Sequence, residues 1–215
     1  MTLAVVAYAL VPSGAAAQNG TAASVQPGIS AGDTHTCGVT AGGAAMCWGG
    51  NEFGQLGDGT ETMRLTPVFV RGLKSGAVAV AAGEVHTCGV TAGGAAKCWG
   101  HNVFGQLGDG TTTDRLKPVS VKGLRGGGVT IAAGGNHTCA VTTAGAAMCW
   151  GLNDRGQLGG GTTTDRLTPV QVKGLRSGVA AIAGGYDFTC AVTTAGAAMC
   201  WGANNFGGLG DGTDR

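Results

Sequence analysis

Cysteine and histidine carry the most varied chemistry in this 215-residue chain, and both recur on a fixed grid. Cysteines stand at 37, 88, 139 and 190, and again at 47, 98, 149 and 200. His35, His86 and His137 each precede the first cysteine of a pair by two positions. Three chemistries suit such a set. The cysteines can close four local disulfides, Cys37 with Cys47, Cys88 with Cys98, Cys139 with Cys149 and Cys190 with Cys200. Alternatively, His35, Cys37 and Cys47 can serve as three zinc ligands. That set lacks a fourth member, and Phe188 stands where the last copy's histidine belongs. The third reading is eight reduced, buried small residues. Pairing and spacing favour the disulfides, so no metal and no cofactor is expected.

Other reactive groups point away from catalysis. A histidine repeated once per copy suits a supporting role, such as bonding a neighbouring turn, whereas an active site needs an asymmetric cluster. Asp58, Asp109 and Asp211 lie in D-G-T turns, where aspartate bonds its own backbone. The third copy has Gly160 at that position. No G-x-x-x-x-G-K loop and no G-x-S-x-G turn occurs. A non-enzyme is expected.

The grid has a step of 51 residues, with copies over 29–79, 80–130 and 131–181 and a shorter one over 182–215. A period of this length means a propeller or solenoid whose units complete one another's core. Each copy holds short apolar or alternating runs (HTCGVT, AAMCWG, TPVFV, AVAVAAG) separated by glycine-rich turns, without helical periodicity. Four strands per copy match a β-propeller blade, so the expected fold is all-β: a β-propeller of four-stranded blades, here an incomplete arc of about four. A hairpin centred on Gly42 sets Cys37 opposite Cys47, Val39 opposite Ala45, Gly38 opposite Met46 and Thr36 opposite Trp48. Alternation then gives one blade face to the cysteines and the other to Trp48 and Met46. Both faces are apolar, as a blade between two neighbours requires.

The strings H-T-C-x-V, C-W-G-x-N-x-x-G-Q-L-G-D-G-T and R-L-x-P-V-x-V-x-G-L, which recur from Ile29 to Arg215, resemble the repeat of the regulator of chromosome condensation family. The resemblance implies a propeller, most often of seven blades. Its best-known member is a nuclear exchange factor for a small GTPase. Other members include ubiquitin-ligase modules and a secreted bacterial inhibitor, so the fold alone does not carry function.

Paired cysteines separate this chain from the family's intracellular members. Residues 1–17 agree with export: the apolar run LAVVAYALV is too short to span a bilayer, and Ala15-Ala16-Ala17 suits cleavage before Gln18. No lysine or arginine precedes that run. Residues 18–28 read as a linker or strand, and 29–215 as propeller repeats. A secreted or envelope location is expected, with a cytoplasmic one as the alternative. Asn19-Gly20-Thr21 and Asn136-His137-Thr138 match glycosylation acceptors. A formal net charge of +1, from 13 basic and 12 acidic residues, provides no field for nucleic acid or anionic membrane.

Arg64, Arg71 and Lys74 recur as Arg115, Lys122 and Arg125 and as Arg166, Lys173 and Arg176. They flank the R-L-x-P-V run and read either as positive charges that protect an exposed edge strand, the favoured reading, or as a basic ring that attracts an anionic partner. Recognition residues are sought where copies differ, in loops on the repeated frame. Phe53, Phe104, Arg155, Tyr186 and Phe206 are the candidates, since aromatic and arginine side chains anchor protein interfaces, while the three phenylalanines equally suit filling gaps between blades. The function expected is a non-catalytic propeller that binds another protein outside the cytoplasm, as scaffold or inhibitor. The alternative is a guanine-nucleotide exchange factor, implied by the resemblance alone. Self-association through open propeller ends is also expected.

Overall fold

In the computed structural model, which describes residues 28–124 and 130–214, the chain forms fifteen strands in four antiparallel sheets. The first sheet contains β1 (Gly28–Ala31), β2 (His35–Val39), β3 (Ala45–Gly49) and β4 (Arg64–Phe69). The second contains β5 (Ala77–Ala82), β6 (His86–Thr91), β7 (Ala96–Gly100) and β8 (Arg115–Ser120). The third contains β9 (Thr130–Ala133), β10 (His137–Val141), β11 (Ala147–Gly151) and β12 (Arg166–Gln171). The fourth has β13 (Val179–Gly184), β14 (Phe188–Thr193) and β15 (Ala198–Gly202). Strand order within each sheet is chain order. The sheets form the successive blades of a propeller arc that does not close. The 79/80 step of the sequence repeat falls inside β5, so a blade runs from one G-L turn to the next.

The central hairpin has the register expected from its turn. Cys37 pairs with Cys47, Gly38 with Met46 and Thr36 with Trp48, and the other three hairpins repeat this. The turn glycine in the left-handed region is Gly43, with φ of 76°. All four cysteine pairs are bonded, across Cα–Cα distances of 4.0–4.1 Å. Their sulfurs are therefore not thiolates able to bind zinc. The R-L-x-P-V strands β4, β8 and β12 form the sheet edges, where proline's missing N–H is tolerated.

Core packing follows from the two faces of the hairpin. Cys37, Cys47, Val39 and Ala45 of the first blade pack with Leu56, Val70 and Leu73, and with Trp99 of the second blade. Cys88 and Cys98 likewise meet Trp150 of the third, and Cys139 and Cys149 meet Trp201 of the fourth. Each core therefore lies between blades, with a disulfide face on one side and an indole face on the other. Farther out, Leu116 of β8 rests on Gly54 of the preceding blade, whose φ is 78°. Gly59 N–H donates to the Leu116 carbonyl at 2.9 Å. The equivalent Leu65 of the first blade is 86% exposed.

Trp99 is fully buried between two blades, whereas Trp48 is partly exposed. Trp99→Ala is expected to lower unfolding free energy by about 3–5 kcal/mol, and Trp48→Ala by clearly less. Chemical denaturation of both variants measures the difference.

Candidate functional site

Two loops of each blade emerge at the same end. One is the turn that joins the innermost strand to the second, as at 32–34. The other is the long connection from the third strand to the edge strand, as at 50–63. They are joined by backbone, with Gly50 N–H donating to the Thr34 carbonyl at 2.8 Å. All five candidate recognition residues lie in these loops.

The long loop is held by two buried amides. Asn51 Oδ1 accepts from Leu56 N–H at 2.9 Å, while its Nδ2 donates to the carbonyls of Thr60 and Thr62 at 2.9 and 3.0 Å. Asn102 and Asn153 repeat all three bonds. Gln55 Oε1 accepts from Phe53 N–H, Gln106 Oε1 from Phe104 N–H and Gln157 Oε1 from Arg155 N–H, at 2.9–3.1 Å. The residue at this position, phenylalanine in three copies and arginine in the third, is thus displayed from a backbone held the same way in the first three. Gly208 replaces the glutamine in the fourth copy. Phe206 there is 100% exposed, while Phe53 and Phe104 are half-buried.

The D-G-T turn behaves as expected and also holds an arginine. Asp58 Oδ1 accepts from Thr60 N–H at 2.9 Å, and Oδ2 pairs with Arg64 at 2.8 Å. Desolvation pushes the Asp58 carboxyl upward, but bonds from Thr60 and Arg64 outweigh it and hold the carboxyl below its usual range. Asp109 and Arg115 form the same pair. Arg64 and Arg115 are therefore neutralised members of the basic series, and Gly160 leaves Arg166 without this partner. Arg125 lies outside the described residues.

Near the propeller axis, the short loops break the repeat. Glu84 Oε2 accepts from Asn136 Nδ2 at 2.9 Å and Oε1 from the Tyr186 hydroxyl at 3.1 Å, tying three blades together. Burial, followed by the Glu84 charge, raises the Tyr186 phenol above its ordinary value. Burial and then Asp154 raise the Asp187 carboxyl, against the opposing pull of Arg155. Asn136 is half-buried and bonded, and Thr138 of its acceptor motif is fully buried. That glycosylation match is thus occluded, and Asn19 lies outside the described residues.

Farther from the axis, His101 brings two candidates together. Its ring lies 4.6 Å from Phe53 of the previous blade and 6.4 Å from Phe104, centroid to centroid. Arg155 is exposed and only loosely paired with Asp154 at 3.6 Å. Tyr186 is 61% exposed. The five candidates thus share one face but not one cluster. Sequence reasoning missed His101, Glu84 and Asn136 as organising groups. The signal for His101 was its position, which holds Gly50, Leu152 and Ala203 in the other copies.

Residues 43–90, 98–141 and 145–192 match the family described as the regulator of chromosome condensation (RCC1) repeat. A second description of the same repeat matches 28–55, 77–106, 129–157 and 179–207. The ultraviolet-B receptor UVR8 of Arabidopsis thaliana is 38% identical over 86% of this chain and 43% of its own length. The probable E3 ubiquitin-protein ligase HERC4 of Homo sapiens is 39% identical over 68% of this chain and 14% of its own. The chain therefore spans less than half the length of these relatives. Human WBSCR16 superposes with a TM-score of 0.73 at 24% identity, over 82% of this chain and 46% of that one. Yeast RCC1 (Prp20), solved bound to Kap60, superposes with 0.72 at 23% identity, over 85% and 44%. At such identities the structures establish the fold alone.

Loop display and loop architecture separate by mutation. Phe206→Ala and Arg155→Ala are expected to change stability by less than about 0.5 kcal/mol. Asn102→Ala, which strands buried backbone groups, is expected to cost about 2–4 kcal/mol. Equilibrium denaturation tests all three.

Proposed function

The chain belongs to the RCC1 repeat family, and on that premise we propose that it is a non-catalytic propeller that binds another protein outside the cytoplasm. The observation that carries this reading is the concentration of copy-to-copy differences in the loops of one face. That face displays Tyr186 and Phe206 on two loops joined by Ala203 N–H to the Asp187 carbonyl, the longer of them held by Asn204. A rigid frame lowers the entropy lost when such loops bind, and exposed aromatics supply contact area. Four disulfides favour an oxidising compartment. They weigh against the alternative of nucleotide exchange on a cytosolic GTPase. Among the described residues, no helix is long and apolar enough to cross a membrane.

A photo-crosslinking residue placed at Phe206 is expected to capture one discrete protein when the chain is expressed in an exporting host. Tyr186→Ala is expected to reduce the adduct at least tenfold. Adducts formed only in cytosol, together with accelerated nucleotide release from a small GTPase, would instead support the exchange-factor reading.

Self-association is a second reading, motivated by exposed Leu65 and Ile29 on the first blade. The interior copies of Leu65, Leu116 and Leu167, pack on Gly54 and Gly105 of the preceding blade. Sedimentation of residues 1–215 is expected to show oligomers that Leu65→Asp disperses, whereas a concentration-independent monomer would end this reading.

A further inference from the structure

The repeated histidines do not bond a neighbouring turn. Each reaches a strand threonine of the next blade. The Thr87 hydroxyl donates to the Gln55 carbonyl at 2.7 Å, and its Oγ1 lies 2.7 Å from His35 Nε2. A hydroxyl has one proton, so Thr87 accepts from His35, whose hydrogen is thereby placed on Nε2. The series His86, Thr138 and the Gln106 carbonyl has distances of 2.9 and 2.8 Å. His137, Thr189 and the Gln157 carbonyl repeat it at 2.8 and 2.8 Å. In all three rings, Nδ1 is buried without a hydrogen-bond partner. A Cβ built on Gly83 or Gly134 would overlap the His86 or His137 ring, so backbone packs directly against that side.

We propose that these three relays form an acid-sensitive latch between blades. With Nε2–H committed to threonine, an added proton must go to Nδ1. The resulting cation is buried with no acceptor, and the junction relieves it by opening.

The groups around the rings reinforce this direction. His86 faces His35, His137 and His101, so one protonated ring raises the cost of the next. Glu84, two residues before His86, has both carboxylate oxygens occupied by Asn136 and Tyr186. Among the described residues, no Asp, Glu, Lys or Arg side chain bonds any of the three rings. Burial lowers His35 and His137 to about 4, and burial together with the neighbouring histidines lowers His86 to about 3. Since the folded values are depressed, the unfolded chain takes up protons first. The stability contributed by neutral rings is complete above the ordinary value of 6.5 and is lost as pH falls toward 4. Asp58 and Asp109 titrate below that window, because both are held under their ordinary 3.8. The latch lies beneath the loops proposed to meet a partner, but its operation does not depend on that reading.

Phe188 occupies the histidine position, and a Cβ on Gly185 would overlap its ring just as one on Gly134 overlaps His137. The wall formed by that glycine therefore packs against a phenyl ring as it does against an imidazole. His86→Phe should keep the shape and remove the proton acceptor.

The test is equilibrium unfolding of the oxidised protein from pH 7.5 to 4, for wild type and for His35→Phe, His86→Phe and His137→Phe. In wild type, each histidine is expected to raise the unfolding constant up to tenfold per pH unit well below 6.5. Each variant is expected to lose one such factor and to gain stability relative to wild type as the solution is acidified. Equal pH slopes in wild type and variants would overturn the latch. For any variant that does not fold, nitrogen-15 spectra of wild-type histidines decide the matter. Rings that stay neutral in the folded protein down to about pH 4.5 support the latch, whereas folded-state titration near 6.5 refutes it.

Discussion

Each blade junction depends on one carbonyl oxygen. The Gln55 carbonyl accepts from the Trp99 indole at 2.9 Å and from the Thr87 hydroxyl at 2.7 Å, both from the next blade. The same pair of bonds recurs at Gln106 and Gln157. Indole and hydroxyl lie at adjacent ladder positions, Thr87 opposite Trp99, so the two bonds fix both distance and tilt between sheets. Apolar contact between a disulfide face and an indole face is not directional. The shared carbonyl supplies direction in a site from which water is excluded, where unpaired donors would be costly.

Because that oxygen belongs to the long loop, loop and junction are one construction. The asparagine clamp holds the loop backbone, the glutamine side chain holds the variable residue, and the glutamine backbone receives the next blade. Glycine at 54 is required for a further reason: its φ is positive, and Leu116 leaves no room for a side chain. The loops on this face can therefore vary in a few side chains while their paths stay constant. Glu84, Asn136 and Tyr186 use that freedom to cross-link three blades near the axis.

Departures of single copies from the pattern each remove one defined interaction. Gly160 removes the carboxylate that pairs the edge-strand arginine, Gly208 removes the amide that would hold Phe206, and Phe188 puts a ring without nitrogens where the other copies have histidine. Two of these fall in the fourth blade.

The sequence alone determined the blade. A 51-residue period, turn glycines and strict alternation specify strand count, hairpin register and the opposed cysteines, because these depend on contacts within about ten residues. The R-L-x-P-V run was legible as an edge strand for the same local reason. Only the tertiary structure decided what the repeated polar residues do. His35 meets Thr87 and Tyr186 meets Glu84 across separations of 52 and 102 residues, and such contacts follow from how blades tilt together. Periodicity marked the histidines as structural but placed their partner in a turn. Arg155 and Tyr186 were found because they break the repeat, whereas phenylalanine recurs at 53, 104 and 206. The pairing of Phe53 with His101 was not legible, because a residue shared by three copies and one found in a single copy carry no mark of being neighbours until the blades are assembled.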